Sequence, residues 1–285
     1  MGFHYGTNPG DPDRTIPQTG CCLYNPDVAV DAVSGQAYIG FFSLEKQGGH
    51  GLFVNAIGPD GPQGGRKLAP GSVSRGNSLP PGNRTSITGR IGTPGVFVAY
   101  GQGYPTFKTL AVWRVDSAKP QLMINADRAE HVNVAAAPEG RLWLIWEQRG
   151  TISSPRTNKA ATKVGPVTKL HPPGGGTIFR LNGEGSAGPL DVIANVQAGG
   201  QALWHQQVLP RLQLTSSTRK TGTGRTITFR VLDAGDPVAG ATVKAGGSTL
   251  RTAANGTATL RQVKSAPVKA TASRPGYASA SANVR

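Results

Sequence analysis

The stretch VAVDAVSGQAYIGFF (residues 28–42) decides the fold class of this chain. It reads as an apolar strand, a turn that contains a glycine, and a second, more strongly apolar strand. The same plan recurs in ITGRIGTPGVFVAY (87–100), VNVAAAPEGRLWLIWE (132–147) and LNGEGSAGPLDVIANV (181–196). The turn glycines are Gly35, Gly95, Gly140 and Gly188, and each follows the first apolar residue of its unit by seven or eight positions. Four strand–glycine–strand units in register indicate a repeat architecture made of β-sheets.

Further strands complete the units. Third strands are predicted at residues 52–57, 110–115 and 202–208, and shorter edge strands at 66–70, 121–124, 167–170 and 208–210. Four antiparallel strands at this period describe a propeller blade. We therefore expect residues 1–210 to form about four four-stranded antiparallel blades, with units near 25–70, 84–124, 131–170 and 177–210. A β-sandwich or an irregular array of similar strands is the alternative.

The composition supports an all-β chain. Among 285 residues there are 40 glycines and 22 prolines, so most windows long enough for a helix contain a breaker.

The last 75 residues differ from the rest, because Thr, Ser, Ala and Val alternate from Arg211 onward. Seven short strands are predicted: 212–215, 226–232, 241–244, 249–252, 257–260, 268–272 and 278–284. Turn signals separate them, among them Gly246-Gly247 and Asn255-Gly256, and the latter favours a type I′ hairpin. This pattern predicts a second domain, a β-sandwich over residues 211–285.

Charge is distributed unevenly between the two parts. The whole chain carries 30 basic and 15 acidic residues, and the predicted sandwich holds 12 of the basic residues but only two acidic ones, Asp233 and Asp236. Such a surface attracts polyanions, so we expect polyanion contact through residues 211–285. A solvated basic face without a partner is the alternative, and no specific nucleic-acid motif is present.

Two family resemblances follow from these residues. Residues 25–210 resemble the sialidase-like β-propellers built from bacterial neuraminidase repeats, through the pattern V-D-x-x-x-G-x-x-Y at 30–38. Four blades are fewer than the six with which sialidase-like propellers usually close, so we expect that Met1 is an internal or artificial start and that one or two blades are missing. Residues 211–285 resemble bacterial immunoglobulin-like and carboxypeptidase-regulatory-like domains. That frame is matched at Val238, Gly240, Ala241, Val243, Thr252, Gly256, Ala258, Leu260, Gly276 and Tyr277. The second resemblance implies an immunoglobulin-like accessory module on a secreted or surface protein.

The propeller resemblance implies what a catalytic site would contain: three arginines on a substrate carboxylate, a Tyr–Glu nucleophile pair and an acid/base Asp. Arg84, Arg90, Arg149 and Arg180 are the available arginines, but no spacing links them. The repeat signature Ser-x-Asp-x-Gly-x-Thr-Trp is also broken, because Pro138 stands where its Asp belongs. A degenerate or incomplete sialidase-like glycoside hydrolase is therefore the alternative to a binding protein. Isolated histidines and acids predict no metal, no cofactor and no catalytic residue.

A binding surface is the favoured interpretation. In the blade model, the loops after each second strand emerge on one rim, at residues 44–50, 101–106, 148–156 and 197–200. Tyr100, Tyr104, Trp146, Glu147 and Arg149 near these loops are the predicted ligand-binding residues, since aromatic faces stack on sugars and polar groups bind hydroxyls. The alternative for Tyr100 and Trp146 is a place in the core between blades.

These observations together predict a non-catalytic, secreted or cell-surface protein that binds a glycan or a protein. The location is inferred from the domain types, since the first twenty residues lack the apolar core of a signal peptide and no apolar run is long enough to span a membrane. The only cysteines, Cys21 and Cys22, are neighbours in sequence. Two packed thiols and a strained vicinal disulfide both remain open for them.

Overall fold

The computed structural model describes residues 2–4, 13–16, 26–45, 49–72, 85–103, 106–174, 176–222, 224–262 and 267–284. Within these ranges every regular element is a β-strand, apart from one 3₁₀ turn at Pro138–Gly140. The all-β fold class predicted from the sequence is confirmed. Cys21, Cys22 and Arg84 lie outside the described residues.

The part that precedes residue 210 consists of a strand pair and four sheets. The pair is β1 (Gly2–His4) with β2 (Asp13–Thr15). The sheets are antiparallel meanders in which each strand pairs with the next one along the chain. Sheet 1 contains β3 (Asp27–Val30), β4 (Ala37–Glu45), β5 (Gly49–Gly58) and β6 (Gly61–Leu68). Sheet 2 contains β7 (Ser86–Gly89), β8 (Val96–Gln102), β9 (Thr109–Arg114) and β10 (Leu122–Asn125). Sheet 3 contains β11 (Glu130–Ala137), β12 (Arg141–Gln148), β13 (Thr151–Ser154) and β14 (Thr168–Leu170). Sheet 4 contains β15 (Ile178–Glu184), β16 (Leu190–Gln197) and β17 (Gln201–Val208).

The first strands of successive sheets lie side by side, as in a propeller. Strand β3 contacts β7, β7 contacts β11, and β11 contacts β15. These strands run in the same direction. The Ile87 amide donates to Asp27 Oδ2 (3.2 Å) near the starts of β7 and β3, and Gly89 lies against the Val30 carbonyl at their ends. Ser86 Oγ at the start of β7 accepts from the Val134 amide in the middle of β11 (2.9 Å), and Arg90 just after β7 donates to the Gly140 carbonyl just after β11. Apolar clusters fill the space between sheets 1 and 2, 2 and 3, and 3 and 4. Each sheet therefore packs face to face on its neighbour.

The turn glycines have the conformation that the repeat requires. Gly35, Gly95, Gly140 and Gly188 have φ values of 72°, 118°, 70° and 113° in the connections between the first and second strands. A side chain is disfavoured at such angles, and only glycine adopts them freely. The repeated glycine is thus the local cause of the repeated turn.

Two predictions in the later units are wrong. The sequence predicts a loop over 148–156, but β13 forms there, and only Arg149 and Gly150 make the turn between β12 and β13. Both turn residues have positive φ (52° and 79°), which gives the tight turn without the usual Asn or Asp signal. The predicted edge strand at 208–210 does not form either. Val208 ends β17, so sheet 4 has three strands among the described residues rather than four.

Residues 213–284 form two further sheets around one apolar cluster, and we call this part the sandwich. Its strands are β18 (Gln213–Thr221), β19 (Gly224–Asp233), β20 (Asp236–Pro237), β21 (Thr242–Ala245), β22 (Ser248–Arg251), β23 (Thr257–Gln262), β24 (Val268–Ser273) and β25 (Ala280–Val284). Strands β18, β20 and β23 join β19 in one sheet, and the order β22-β21-β24-β25 makes the other. All seven predicted strands are present. Strand β20 was not expected.

The predicted type I′ hairpin at Asn255-Gly256 is wrong. Gly256 has φ of 75°, but Asn255 is not among the residues with positive φ. The physical reason is topological, because β22 and β23 belong to different sheets and the chain crosses between them here. The Gly256 amide instead closes a turn onto the Ala253 carbonyl (2.9 Å). The Gly246-Gly247 turn does join paired strands, and both its glycines have positive φ.

A buried ion-pair cluster joins sheet 3 to the sandwich. Arg156 Nη2 pairs with Asp233 Oδ2, and Arg141 Nη1 lies 3.4 Å from the same oxygen. Arg141 Nη2 also pairs with Asp236 Oδ2 at 2.7 Å. Tyr277 completes the cluster, since its hydroxyl lies 3.3 Å from Asp233 Oδ2 and 3.1 Å from Arg156 Nη2. Both acidic residues of the sandwich are therefore used at this contact.

Candidate binding surfaces

The strand directions place the predicted loops at a single end of the four sheets. The connections after β4, β8, β12 and β16 all lie at the end where the first strands begin. We call this end the Arg149 rim. The sandwich contacts the opposite end of sheet 3, through Arg141 at the start of β12. The two candidate surfaces, the rim and the sandwich, are thus at opposite ends of sheet 3.

The aromatic residues predicted to bind sugar lie inside the protein. Tyr100 and Trp146 are each 3% exposed and belong to the clusters between sheets 1 and 2 and between sheets 2 and 3. The Tyr100 hydroxyl donates to the Pro70 carbonyl (2.7 Å), and Trp146 Nε1 donates to Gln148 Oε1 (2.9 Å). Burial raises the pKa of Tyr100 well above its usual range, and a hydrogen bond with Gln102 opposes this in part. Both rings are enclosed and present no open face to a sugar.

Glu147 and Arg149 differ in exposure, although both lie at the rim. Glu147 is buried, and its Oε1 accepts the Gly150 amide. Burial raises the pKa of Glu147; the Gly150 hydrogen bond opposes the shift, and the nearby Glu130 carboxylate adds to it. Arg149 is exposed to solvent. Tyr104, the fifth predicted residue, lies outside the described residues.

Three non-glycine residues at this rim have left-handed backbone conformations: Arg128 (φ 56°), His131 (φ 48°) and Arg149 (φ 52°). His131 is also buried, with Nε2 2.9 Å from the Ile178 carbonyl, and burial lowers its pKa. Such conformations cost energy and are concentrated at functional sites. His131 was missed from sequence, because an isolated histidine carries no signal until its backbone conformation is known.

Of the described arginine candidates for a sialidase-like site, Arg90 lies apart from the other two. Arg90 lies at the end opposite the rim, where its Nε donates to the Gly140 carbonyl (2.6 Å) and its Nη2 donates to the Lys159 carbonyl. Arg149 lies on the rim, and exposed Arg180 lies on β15 of sheet 4. Asp31 closes the β3–β4 turn at the end opposite the rim. It is therefore remote from Glu147, and the two carboxyl groups cannot act as a catalytic pair. The Asp31 carboxylate accepts the amides of Val33 (2.9 Å) and Gly95 (2.6 Å).

The sandwich presents a basic face on β18, β19 and β23, which we call the three-strand face. Pairing aligns Arg219 with Thr226 and Thr226 with Arg261, so these residues form one row across the sheet. The next row along the strands contains hydroxyl side chains only, and the third row places Arg230 between two threonines. The members of these two rows are Ser217, Thr228 and Thr259, and Thr215, Arg230 and Thr257.

An open cavity of about 660 Å³ lies at the Arg219 end of this face. Its lining consists of Arg219, Thr221, Gly224, Arg225, Thr226, Thr259, Arg261 and Gln262. Arg225 is buried and donates from Nε to Gln262 Oε1 (3.0 Å). Arg219 and Arg261 are exposed on either side of Thr226. The lining contains three guanidinium groups and no carboxylate.

The opposite face of the sandwich is also basic. Lys244 pairs with Thr249 and Thr271 across the sheet, and Lys269 pairs with Asn283. Both lysines are exposed. This second face is a comparison for the first, since it also carries exposed cations and hydroxyls, but Lys244 and Lys269 stand where the first face has a row with two arginines.

Two other features do not occur in the described part of the chain. His, Cys, Asp and Glu side chains do not come together there in any group of three or more that could hold a metal ion. The described ranges also contain no helix of the length and hydropathy needed to cross a bilayer.

Comparison with known proteins gives low similarity throughout. No family model and no curated protein matches this sequence. Among solved structures, an exo-β-1,3-galactanase from Phanerochaete chrysosporium is 11% identical, with a TM-score of 0.41, and the match covers 83% of this chain and 73% of that chain. An endo-arabinase from Bacteroides thetaiotaomicron is 14% identical, with a TM-score of 0.37 and coverage of 87% and 96%. A prolyl oligopeptidase B from Galerina marginata is 12% identical, with a TM-score of 0.32 and coverage of 76% and 32%. Inferences about the function of this chain therefore depend on its own side chains and their arrangement.

Proposed function

We propose that this chain is a non-catalytic binding protein of the cell surface or extracellular space, and that its sandwich attaches it to an acidic polymer. One observation carries the proposal. Eight cationic side chains of the sandwich are exposed, as is Arg211 just before it; the eight are Arg219, Lys220, Arg230, Lys244, Arg251, Arg261, Lys269 and Arg274. None of them forms an ion pair with a carboxylate among the described residues, because Asp233 and Asp236 are used by Arg141 and Arg156.

The excess of basic residues in the sandwich therefore lies on its surface as positive charge without carboxylate partners in the described part of the chain. The two carboxylates point toward sheet 3, and the charges that remain on both outer faces are of one sign. Like charges on a small domain repel one another and destabilise the folded state. A bound counter-charge therefore lowers the electrostatic free energy of this surface. Multivalent contact with a polyanion provides that counter-charge by releasing the small ions condensed on the polymer.

We further propose that the Arg149 rim recognises a glycan or a protein. The support is exposed Arg149 close to the buried Glu147 carboxyl group, at the end of the sheets that the sandwich leaves uncovered. Exposed Arg149 is the side chain best placed to bind an anionic or hydroxyl group. The sialidase-like alternative is less favoured, since Arg90 is bonded to backbone carbonyls at the opposite end.

Binding of the full chain to immobilised polyanions tests the first proposal. The chain should be retained at low ionic strength and should elute steeply as salt rises, with affinity falling by orders of magnitude between about 50 and 200 mM if several charges are neutralised. A positively charged protein of unrelated fold and equal net charge is the control. Absence of retention, or retention that does not depend on salt, contradicts the proposal.

Substitution of Arg149 tests the second. Arg149→Gly suits the positive φ of this position and removes the guanidinium, so it should abolish ligand capture at the rim while leaving the unfolding midpoint unchanged or slightly raised. Unchanged capture of a glycan or protein ligand by this variant contradicts the role of the rim.

A further inference from the structure

The three-strand face has one row in which two arginines flank a threonine. Arg219, Thr226 and Arg261 stand in one row on three adjacent strands, and all three side chains project outward from the sheet. Adjacent strands lie about 4.8 Å apart, so the two arginine backbones are about 10 Å apart with a hydroxyl between them. Arginine side chains are long enough to converge over the central threonine.

Neighbouring groups keep this row open to an anion. Arg225 is directed inward at the same level, and its contact with Gln262 Oε1 holds it beneath the cavity. No carboxylate lines the cavity, so neither exposed arginine is neutralised by the protein there. An anion that enters from solvent therefore meets two exposed guanidinium groups and one hydroxyl.

The donors favour a tetrahedral oxyanion. Each guanidinium presents a planar fork that matches two oxygens of a phosphate or carboxylate. A planar carboxylate has two oxygens and satisfies one fork. A phosphate group has further oxygens in other directions, so it can accept from Arg219, Arg261 and the Thr226 hydroxyl at the same time.

The side chains around this row indicate which kind of phosphate polymer would fit the face. Between residues 211 and 285 the chain has two aromatic residues, Phe229 in the core and Tyr277 at the contact with sheet 3. Neither lies on the three-strand face. Single-stranded nucleic acids are bound largely by stacking of bases on aromatic rings, and sugars by stacking on their apolar faces. The rows of hydroxyls instead suit a flexible chain of alcohols joined by phosphates.

We propose that the row Arg219–Thr226–Arg261 binds the phosphodiester groups of a linear polyol phosphate polymer that lacks bases. The polymer runs along the strands, with successive groups on the hydroxyl row and on Arg230. This inference rests on the proposed polyanion attachment of the sandwich and assigns it to one face and one chemical class.

Titration of the full chain with poly(glycerol phosphate), heparin and single-stranded DNA of equal charge tests the inference. The double variant R219Q/R261Q removes the two forks, and K244Q/K269Q on the opposite face is the control with the same loss of charge. We expect the first to weaken poly(glycerol phosphate) binding by about tenfold or more and to lower the salt slope by about 0.7 per lost phosphate contact. The control should change both quantities less.

A second pair of variants removes hydroxyls without changing charge. Thr226→Val keeps the shape and strand preference of the residue, and Thr228→Val does the same one row away. We expect weaker binding for Thr226→Val than for Thr228→Val, with equal unfolding midpoints for the two.

The outcomes separate the two proposals. Equal losses for both double variants would overturn the site while leaving polyanion attachment in place, as would tighter binding of heparin or DNA than of poly(glycerol phosphate). Absence of salt-dependent binding of the unmodified chain to all three polymers would overturn both.

Discussion

Replacing Asp233 by alanine should strongly destabilise the contact between sheet 3 and the sandwich. The Asp233 side chain is 2% exposed, and it accepts from Arg156 Nη2 and lies within 3.4 Å of Arg141 Nη1. The substitution leaves Arg156, whose side chain is 7% exposed, buried between the rings of Trp143 and Tyr277 without a carboxylate. An uncompensated buried charge is the most expensive consequence of breaking an ion pair.

The expected loss in the free energy of unfolding can be bounded from the structure. Removing one partner of a buried pair costs about 3–5 kcal/mol. Arg141 keeps Asp236 as a partner at 2.7 Å, so we expect the lower part of this range, about 3 kcal/mol. The exposed pair of Lys108 with Asp127 (2.9 Å) is the matched control, since both side chains are about half exposed, and Asp127→Ala should cost much less than Asp233→Ala because solvent screens the pair.

Urea unfolding at neutral pH measures the difference. The four tryptophans lie between residues 113 and 204, so their fluorescence reports on the sheets, and circular dichroism adds the sandwich. A double variant, Arg156→Met with Asp233→Ala, should recover part of the lost stability because it removes the unpaired charge. A cost for Asp233→Ala no larger than that for Asp127→Ala, or a double variant less stable than Asp233→Ala alone, would refute this reasoning.

Three further predictions concern single positions. Gly256→Ala should lower the thermal unfolding midpoint clearly more than Gly240→Ala. Both glycines have positive φ, but only at Gly256 would a Cβ meet a backbone oxygen, that of Val231, at 2.7 Å. Equal decreases in the two midpoints would contradict the steric argument. Glu147→Gln should stabilise the protein at neutral pH and have little effect below about pH 4. The pKa of Glu147 is raised in the folded state, so the folded protein loses stability as this carboxyl group ionises. Urea midpoints measured against pH check this, and a difference between the two proteins that does not change with pH would contradict it. Asp31→Asn should destabilise at neutral pH: burial raises the pKa of Asp31, but amide donors such as Gly95 outweigh it and hold that pKa below its usual value. The difference from the unmodified chain should shrink as pH falls through the lowered pKa, and acid unfolding curves that stay parallel would disprove this.

Local features of the sequence predicted the strands well. The turn glycines Gly35, Gly95, Gly140 and Gly188 were identified by spacing alone, and their positive φ values follow from the local turn. The strands of the sandwich were also predictable, since alternation and turn residues act over a few positions. Prediction was wrong where a partner strand decides the outcome, as at 208–210, or where a turn joins different sheets, as at Asn255.

The candidate binding residues show the same division. Tyr100 and Trp146 stand at strand ends, and nothing local distinguishes a ring that packs between sheets from one that faces solvent. Glu147 and Arg149 are two positions apart, yet one is buried and the other exposed, because the tight turn at Arg149-Gly150 redirects the chain.

The sequence by itself determined that this protein is built of β-strands and that its last 75 residues carry excess positive charge, because both properties are sums over local residue choices. Only the tertiary structure decided which charges meet solvent. Asp233 and Asp236 are separated from Arg141 and Arg156 by many positions, and folding brings them together in a buried cluster. The same folding places Arg219 and Arg261, 42 positions apart, in one row on the two strands that flank β19. Long-range pairing of this kind depends on sheet topology, and no short-range pattern encodes it.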